Sequence, residues 1–510
     1  MKNVVFVALP KIETVFPSGA IAILSSVAKV NNYDSVVYDY NLDLQTSLTA
    51  TEWNELELWN TFAASDISTE LEDKIHQIFI KNLEKYTNSQ TEYVCFCVFS
   101  YFSNQIALKV LNWYNQISNI PSVVGGAGIS TDASATNKEI FGNLLVRNQL
   151  ATYVVFGEGE LAFDSILKKQ FDFPGINANN PQQIEDLSVL PIPTYEYFDM
   201  ERYQNQKILI TGSRGCVRNC TFCDIELTWP KFRYRKADHI VEEIKQHFYE
   251  YGITEFEFTD SLINGSMSNF DRFNELLYEA KQKDPALEKI KYQGQFICRP
   301  SGPSQDKSYE LMHLAGCNML ITGIESFSQD VRNHMRKKFN NSDIDYHFEQ
   351  CARWGIPNIL LMIVGYPTET EQDHLDNINA IKRYKPYVDM GTIFMVRWGL
   401  TMHLYEHTPI MSMLKELDIN ISNDIKFDSV YSWASGNNPT NTLQERIRRR
   451  LEIHELCVAL GYPMPRVLEE LLVLVNLAEK SRELKKKTIF KLELEKPSSL
   501  PINFTTKAYT

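Results

Sequence analysis

The chain has 510 residues, of which 44% are hydrophobic and 23% charged. This balance is typical of a globular protein with two to four domains, and a formal net charge of -13 argues against a general binder of phosphate backbones. No run reaches the roughly 18 apolar residues that span a bilayer. The apolar start ends at Pro10 without a cleavage site, so it predicts a strand and not a signal peptide. Nine scattered cysteines indicate reduced thiols, and we expect a cytoplasmic protein.

The first part of the chain alternates between strand and helix patterns. Short apolar runs bounded by turn residues predict five strands, at 3–9, 35–41, 93–102, 121–128 and 152–160. A helix is predicted at 18–32, and 43–90 is mostly helical and acidic. Near-continuous apolar strands separated by helices are typical of a buried parallel sheet. We therefore expect a doubly wound, Rossmann-like α/β domain at 1–190, with its ligand crevice at the carboxyl ends of the strands.

The alternation restarts after a linker rich in Pro and Asn at 171–206. Strands are predicted at 207–215, 255–260, 289–298, 319–326, 358–367 and 389–397. Helices are predicted between them at 237–252, 269–283, 307–315, 342–354 and 370–384. This pattern favours a barrel or partial barrel of parallel strands at 191–400, with functional loops at the C-terminal strand ends.

Residues 401–510 change character and predict a mostly helical domain. One helix is predicted at 440–463, with a capping box of Thr442 and Glu445, and a second at 465–487. Basic runs at 446–450 and 480–487 are interpreted as solvated helix faces, because charge runs usually are. We expect these helices to close the open side of the barrel.

Three cysteines carry the strongest pattern in the chain. GCVRNCTFCD places Cys216, Cys220 and Cys223 in a C-x3-C-x2-C spacing after the first strand of the second region. Thiolates are natural ligands of iron–sulfur clusters, and three of them leave one iron of a four-iron cluster open to an outside chelator. Zinc and unliganded loop cysteines are the competing interpretations. Zinc usually takes four Cys or His ligands in paired spacing, and the nearest histidine, His239, lies in a predicted helix.

This spacing resembles the signature of the radical SAM superfamily, C-x3-C-x-φ-C after the first strand of a partial (β/α)6 barrel. Phe222 stands at the aromatic position φ. The resemblance implies a [4Fe–4S] cluster on the three cysteines, with S-adenosylmethionine (SAM) chelating the open iron through its amino and carboxylate groups. One electron then cleaves SAM to methionine and a 5′-deoxyadenosyl radical, which the barrel shields from solvent.

Four later strand ends resemble the SAM-binding segments of this superfamily, in the same order along the chain. They are FEFTD with Asp260, QFICRP with Arg299, GIES with Glu325 and IVGYPTET with Gly365. The resemblance implies that Asp260 contacts the SAM amino group, although the motif reads Thr-Asp-Ser and not Gly-Gly-Glu. It implies that Glu325 accepts from the ribose hydroxyls and that Gly365 lies near the adenine. Arg299 resembles a polar SAM contact, with a surface salt bridge as the alternative.

An α/β domain, a Pro-rich linker and then this barrel resemble the cobalamin-binding subclass of the superfamily. In that fold the corrin lies across the carboxyl ends of the strands, where glycine loops let the backbone approach it. The candidate cobalamin residues are Gly125, Gly126, Gly157, Glu158, Gly159 and Glu160. For either glycine motif alone, an ordinary tight turn is the competing interpretation. The loop at 9–19 contains no histidine, unlike the Asp-x-His-x-x-Gly loop of many cobalamin proteins, so a degenerate domain without corrin is the alternative.

The resemblance implies a cobalamin-dependent methyltransferase that acts on an unactivated carbon or phosphorus centre. One SAM molecule is the radical source and another remethylates cobalamin. The alternative is a radical SAM oxidoreductase, isomerase or cyclase whose first domain is a scaffold. Methylthiolation is disfavoured. The extra N-terminal cluster cysteines that are usual in such enzymes are not evident, because Cys95 and Cys97 lie inside a predicted strand. No small β-barrel RNA module is predicted after residue 400.

A non-catalytic protein that keeps the cluster as a structural staple is a third interpretation. It leaves Phe222, Glu325 and Gly365 without a common explanation. The expected partners are an electron donor such as flavodoxin or ferredoxin and a small-molecule or peptide substrate. Neither a membrane nor a nucleic acid is expected to bind.

Overall fold

The structure is a computed structural model that describes residues 1–10, 16–62, 67–133, 139–203, 207–399, 401–402, 404–405, 408–421, 433–438 and 440–464. These residues form two compact units, one of Met1–Ile210 with Tyr249–Ile253 and one that begins at Thr211 and continues from Thr254. In this part of the chain no helix is long and apolar enough to cross a membrane. The predicted helix at 465–487 lies outside the described residues. The division into domains at 1–190, 191–400 and 401–510 stays a prediction.

Five parallel strands form the sheet of the first unit. They are β1 (Asn3–Ala8), β2 (Asp34–Asp39), β3 (Thr91–Cys97), β4 (Ser122–Gly125) and β5 (Tyr153–Val154). Their order is β2-β1-β3-β4-β5, and every pairing is parallel. This is a doubly wound sheet whose winding reverses between β1 and β3, the position where such sheets bind ligands. The α/β class predicted for the first part of the chain is confirmed.

Among the described residues, six helices connect these strands and a seventh follows β5. They are α1 (Gly19–Val30), α2 (Tyr40–Ser47), α3 (Ala50–Phe62), α4 (Thr69–Tyr86), α5 (Asn104–Ile117), α6 (Phe141–Arg147) and α7 (Gly159–Leu167). In α4 the apolar residues Leu71, Ile75, Phe79 and Leu83 recur every four positions and are buried in the core of this unit. Such spacing places them on one face of the helix.

A short antiparallel hairpin follows strand β6 (Lys207–Ile210). Its strands are β7 (Ser213–Arg214) and β8 (Arg233–Tyr234), and they enclose the cysteine loop. The strands that continue the main sheet are β9 (Glu255–Phe258), β10 (Lys291–Phe296), β11 (Cys317–Glu325), β12 (Asn358–Met362) and β13 (Ile393–Trp398). The order β6-β9-β10-β11-β12-β13 follows the chain, and within the described residues β6 and β13 are the two edges. This open sheet agrees with the predicted partial barrel.

Seven helices belong to this sheet and its loops. They are α8 (Ile225–Thr228), α9 (Ala237–Tyr251), α10 (Met267–Lys283), α11 (Pro303–Ala315), α12 (Gln329–His334), α13 (Asn341–Trp354) and α14 (Glu371–Asp389). The prediction ended α14 at 384 and began the last strand at 389, and both bounds were wrong. Pro386 lies inside the helix, where it removes one N–H donor, yet its carbonyl still accepts from Met390 N at 3.1 Å.

The remaining described elements are α15 (Pro409–Ser412), β14 (Ile419–Ile421), β15 (Trp433–Ser435) and α16 (Leu443–Ala459). Thr442 caps α16 by accepting from Glu445 N at 3.3 Å. The interpretation of the basic run 446–450 as a solvated face was wrong. Arg446, Arg449 and Arg450 are each 0% exposed, because backbone carbonyls and a buried carboxylate accept their hydrogen bonds.

Candidate functional site

The three predicted cluster ligands lie in the single loop between β7 and β8. Cys220 is buried, Cys216 and Cys223 are partly buried, and none of the three forms a disulfide. Backbone amides donate to two of the sulfurs, from Arg218 N to Cys216 Sγ at 3.4 Å and from Ile225 N to Cys223. Hydrogen bonds to ligand sulfurs are one means by which proteins tune iron–sulfur clusters.

The three thiols of this loop are not gathered around a single ion position. Among the described residues, no three His, Cys, Asp or Glu side chains converge on a position for a single ion. In a cluster each thiolate binds a different iron, so the three sulfurs need not meet at one point. Burial raises the pKa of the Cys220 thiol and raises that of Cys223 to about 12. Binding of iron therefore has to displace protons from these thiols.

Thr221, between two of the cysteines, fastens the loop to two other strand ends. Its backbone N donates to the Met335 carbonyl at 3.3 Å, after α12. Its Oγ1 lies 2.8 Å from the hydroxyl of Tyr366, after β12. The neighbouring Phe222 ring packs against the apolar cluster that contains Tyr366 and Met335. The cysteine loop is thereby held against the segments that follow β11 and β12.

Glu325 ends β11 in an unusual backbone conformation. Its φ is 66°, and the pairing of β11 with β12 shifts register between Gly323 and Glu325. Its Oε1 accepts from Lys337 Nζ at 3.0 Å, and the two side chains are only 11% and 7% exposed. A Cβ on Gly323 would lie 2.7 Å from that oxygen. A bulky residue in a left-handed conformation is strained, and such strain clusters at functional sites.

Lys337 is a residue of this site that the sequence analysis missed. Its ammonium lies 5.8 Å from the centre of the Phe222 ring, and it interacts electrostatically with Cys220 and Cys223. Burial lowers the pKa of Lys337, but the opposing charges of Glu325 and the cysteines leave it raised. No spacing rule points to a lysine in a loop after a short helix, so the sequence carries no pattern that identifies it.

Asp260 is fully engaged by the segment that leads into the cysteine loop. Its Oδ1 accepts from Gly212 N at 2.7 Å and its Oδ2 from Ser213 Oγ at 2.6 Å. Burial raises its pKa to about 6. Asp260 also borders a small pocket lined by aromatic side chains. These bonds give Asp260 a fastening role; its predicted contact with the SAM amino group stays a prediction.

Arg299, after β10, has a donor to spare. Its Nη2 donates to the carbonyls of Asn264 and, at 3.2 Å, Gly265. Its Nε and that of Arg218 are buried and find no hydrogen-bond partner within the described part of the chain. Arg218 and Cys216 both lie within electrostatic range of Arg299. Two buried donors without acceptors beside a predicted cluster ligand fit an anionic group such as a carboxylate.

Gly365, after β12, is in close contact with helix α16. Its φ is 83°, and a Cβ at this position would lie 2.2 Å from Arg446 Cδ. Its backbone N donates to Glu369 Oε2 at 3.0 Å, and burial raises the pKa of Glu369 to about 7. The glycine is therefore required by packing inside this unit. The predicted approach of Gly365 to an adenine stays a prediction.

Three arginines of α16 form what we call the arginine clasp: Arg446, Arg449 and Arg450. Arg446 donates to the Trp433 carbonyl at 2.9 Å and stacks 3.8 Å from the centre of its ring. Arg449 binds the Glu369 carboxylate at 3.2 Å, and Arg450 Nε donates to the Gly399 carbonyl at 2.9 Å. The clasp joins the loops that follow β12 and β13.

The glycine candidates of the first unit follow two neighbouring strands, β4 and β5. Gly126 has φ of 117°, and a Cβ there would lie 2.3 Å from the Val98 carbonyl oxygen. Gly157 has φ of 71°, and its Cβ would lie 2.4 Å from Pro181 Cβ. Packing within this unit is therefore sufficient to require both glycines.

The other candidates differ in the space around them. Gly125 and Gly159 leave room, since the nearest atoms to an added Cβ lie at 3.5 Å and 4.0 Å. Glu158 and Glu160 are both buried, and Glu158 Oε2 accepts from Ile184 N at 2.9 Å. Local packing does not explain why Gly125 and Gly159 are glycines. Of the predicted cobalamin contacts, these two therefore leave space for a ligand.

The first 190 residues contain one histidine, His76. It lies on α4, with its ring 4.6 Å from that of Trp113. It does not follow a strand at the carboxyl edge of the sheet. These residues therefore offer cobalt no imidazole at that edge, as the histidine-free loop after β1 predicts.

Comparison with known proteins agrees with this site. Residues 210–381 match the family model described as the radical SAM superfamily. This segment is a radical SAM domain. The predicted membership is confirmed, and the match spans all of the strand ends from Gly212 to Gly365.

Relatives of this radical SAM protein include enzymes named for methyl transfer. It is 28% identical over 253 residues to an uncharacterized methyltransferase of Pyrococcus horikoshii, covering 45% of this chain and 52% of the relative. It is 29% identical over 196 residues to the cytidylyl-2-hydroxyethylphosphonate methyltransferase of Streptomyces wedmorensis, covering 36% and 35%. A tRNA-2-methylthio-N(6)-dimethylallyladenosine synthase of Thermoanaerobacter matches at 25% over 199 residues, covering 37% and 41%. The radical SAM protein spans about half the length of the curated relatives it matches, or less.

Two solved structures share the fold of this radical SAM protein over most of its length. The radical SAM methyltransferase TsrM of Kitasatospora setae, solved with tryptophan and a SAM analogue, matches with a TM-score of 0.63 at 15% identity, covering 88% of this chain and 83% of that one. The cobalamin-dependent SAM radical enzyme OxsB, solved with aqua-cobalamin, matches with a TM-score of 0.63 at 16% identity, covering 86% and 65%. The predicted fold, an α/β domain followed by a partial barrel, is confirmed.

Proposed function

We propose that this chain is a cobalamin-dependent radical SAM methyltransferase that acts on an unactivated carbon or phosphorus centre. The observation that carries the proposal is the cysteine loop itself. Three unpaired cysteines lie beside the Glu325–Lys337 pair and beside Arg299, whose buried Nε lacks an acceptor in the described residues. Together these groups offer thiolates for iron and polar contacts for an amino acid carboxylate and a ribose.

Each group has a distinct role in this proposal. Cys216, Cys220 and Cys223 hold a [4Fe–4S] cluster, and Phe222 packs behind it. The spare donors of Arg299 and Arg218 receive the SAM carboxylate. Glu325 accepts from the ribose hydroxyls. Asp260 and Gly365 shape the pocket through the contacts that fix their loops.

Cobalamin is assigned to the carboxyl edge of the first sheet. Gly125 and Gly159 leave space for the corrin, and Gly126, Gly157, Glu158 and Glu160 shape the two loops around it. The fold shared with OxsB, solved with aqua-cobalamin, supports this assignment. When bound, the cluster, SAM and cobalamin supply one-electron cleavage chemistry and a transferable methyl group.

Two relatives bear on the kind of acceptor. One is named as a methyltransferase of a phosphonate, and one structural neighbour was solved with tryptophan as substrate. These names support a small organic acceptor, and neither states which of its atoms receives the methyl group. A low-potential electron donor of the flavodoxin or ferredoxin class completes the proposed reaction.

Anaerobic reconstitution with iron and sulfide tests the proposal. We expect about four irons per chain, release of 5′-deoxyadenosine from SAM, and retention of cobalamin absorbance after gel filtration. Cys216→Ala, Cys220→Ala and Cys223→Ala should each abolish nucleoside release. Cys317→Ala, a buried cysteine outside the loop, is the matched control and should keep it. A reconstituted protein without iron, or with zinc alone, contradicts the proposal.

A radical SAM oxidoreductase, isomerase or cyclase is the second candidate. It is favoured by Gly126 and Gly157, because packing alone accounts for their positive φ and their close contacts. In that case the first unit is a scaffold. Release of 5′-deoxyadenosine by a protein that never retains cobalamin would decide for this candidate.

A further inference from the structure

The buried Lys337 connects two parts of the proposed site that are far apart in the chain. Its Nζ lies 3.0 Å from Glu325 Oε1, and the ammonium faces the Phe222 ring at 5.8 Å. It also lies within electrostatic range of Cys220 and Cys223. One cation thus contacts the predicted ribose acceptor and the predicted cluster loop together.

The backbone around Lys337 is unusually constrained. Arg336 and Lys338, its two neighbours, have φ of 60° and 57°. Lys337 N donates to the Arg332 carbonyl at 3.0 Å, and Met335 accepts from the cysteine loop. Two departures from the favoured backbone regions, one on each side of a single residue, persist only when the surroundings impose them. This turn therefore fixes the direction in which the Lys337 side chain enters the site.

The negative charges of the proposed cluster and of Glu325 favour a cation at the position of Lys337. An oxidised [4Fe–4S] core carries a charge of about +2, and three thiolates bring the assembly to about -1. Glu325 adds another negative charge nearby, and both it and Lys337 are largely excluded from water. Because buried charges are weakly screened, an added electron is stabilised by a neighbouring positive charge and opposed by a negative one.

We propose that Lys337 is a positioning residue that holds Glu325 at the ribose and whose positive charge favours the one-electron-reduced cluster. This inference rests on the proposed function. The cluster gains one electron from an external low-potential donor, and Lys337 itself neither gains nor loses a bond. Gly323 contributes by its small size, because a Cβ there would lie 3.1 Å from Lys337 Nζ and 2.7 Å from Glu325 Oε1.

To test this, the reconstituted full chain is titrated anaerobically with dithionite to a fixed potential. Electron paramagnetic resonance then measures the fraction of the cluster that is reduced. In Lys337→Met, which keeps bulk and removes charge, we expect the ratio of reduced to oxidised cluster at a fixed potential to fall about tenfold. That change is equivalent to about 59 mV for one electron. Lys337→Arg should restore most of the ratio.

Two further variants keep the test decisive. Glu325→Gln removes the opposing charge and should shift the ratio the other way, which a merely structural role does not predict. Lys338→Met changes the exposed neighbour with the same positive φ and should leave the ratio unchanged. Iron content and SAM binding are measured on every variant.

The outcomes separate the two proposals. A wild-type protein that forms no four-iron cluster overturns the proposed function and this inference with it. A wild-type protein with a normal cluster, together with an unshifted ratio in Lys337→Met and Glu325→Gln, overturns the inference alone. If Lys337→Met fails to fold, a shifted ratio in Glu325→Gln supports the inference, and an unshifted ratio in that variant overturns it.

Discussion

Arg446 lies against Gly365 on the side where any other residue carries its Cβ, with only 2.2 Å between that position and Arg446 Cδ. The contact joins a helix outside the matched family segment to a loop inside it. Burial lowers the pKa of Arg446 to about 9, and its guanidinium is held by the Trp433 carbonyl and ring. The loop after β12 can thus adopt this conformation beside Arg446 only with a glycine at position 365.

Gly365→Ala is expected to destabilise the second unit by about 3 kcal/mol, because it combines overpacking with a strained positive φ. Differential scanning calorimetry should show a lower Tm. Gly355→Ala is the control, because Gly355 has φ of 64° but no atom within 4 Å of the added Cβ. It should cost about 1 kcal/mol, from the backbone alone. Equal losses of stability in both variants would show that the Arg446 side chain moves away from the added Cβ without a loss of free energy.

Asp260→Asn is expected to change how stability depends on pH. The pKa of Asp260 is raised to about 6 by burial, above that of an unfolded aspartate. Its contribution is therefore fully present below about pH 4 and is lost as the pH rises through about 6. Over that range the stability of the wild type relative to Asp260→Asn should fall by about 3 kcal/mol. Urea denaturation at half-unit steps measures it, and a constant difference would contradict it.

Thr221→Val and Tyr366→Phe are expected to be coupled. Their hydroxyls lie 2.8 Å apart in a buried setting, so each single change leaves the other without this partner. We expect a coupling free energy of about 1 kcal/mol in a double-mutant cycle of urea unfolding. Each single variant should also lose reconstituted iron to a chelator faster than the wild type. Strict additivity of the two changes would mean that this hydrogen bond does not hold the cysteine loop.

Gly157→Ala and Gly159→Ala are expected to separate packing from cofactor binding. Gly157 faces Pro181 at 2.4 Å with positive φ, so its substitution should lower the Tm of the first unit. Gly159 has no atom closer than 4.0 Å to an added Cβ. Gly159→Ala should therefore keep the Tm and, if the corrin approaches this backbone, weaken cobalamin retention on gel filtration. Unchanged retention in a stable Gly159→Ala protein argues for the scaffold alternative.

The sequence was informative wherever one local rule determines a structure. Strand patterns located every strand of both main sheets. Most of them are near-continuous apolar runs, as buried parallel strands require, whereas Lys291–Phe296 alternates between apolar and polar residues. The cysteine spacing and Phe222 identified the family, since three thiols in one loop have few other uses. The sequence did not predict the strand order β2-β1-β3-β4-β5, because that order depends on which strands pair in the folded protein.

The same limit explains the errors at the site. The RIRRR run resembled a solvated helix face because its acceptors are carbonyls of Trp433 and Gly399, which no charge pattern reveals. Lys337 was missed because its partner Glu325 lies twelve residues away on another element. Gly365 was singled out for an approach to the adenine, which stays a prediction; the group that lies at its Cβ position in the structure is Arg446.

The arginine clasp also sets an order of events during synthesis. The loops that it joins leave the ribosome before residues 446–450 do, so during that interval the carboxylate of Glu369 has no Arg449 to bind. Domains generally fold as units, so contacts between distant segments form only once both segments are present. The loops after β12 and β13 therefore gain these contacts only after translation has passed residues 446–450.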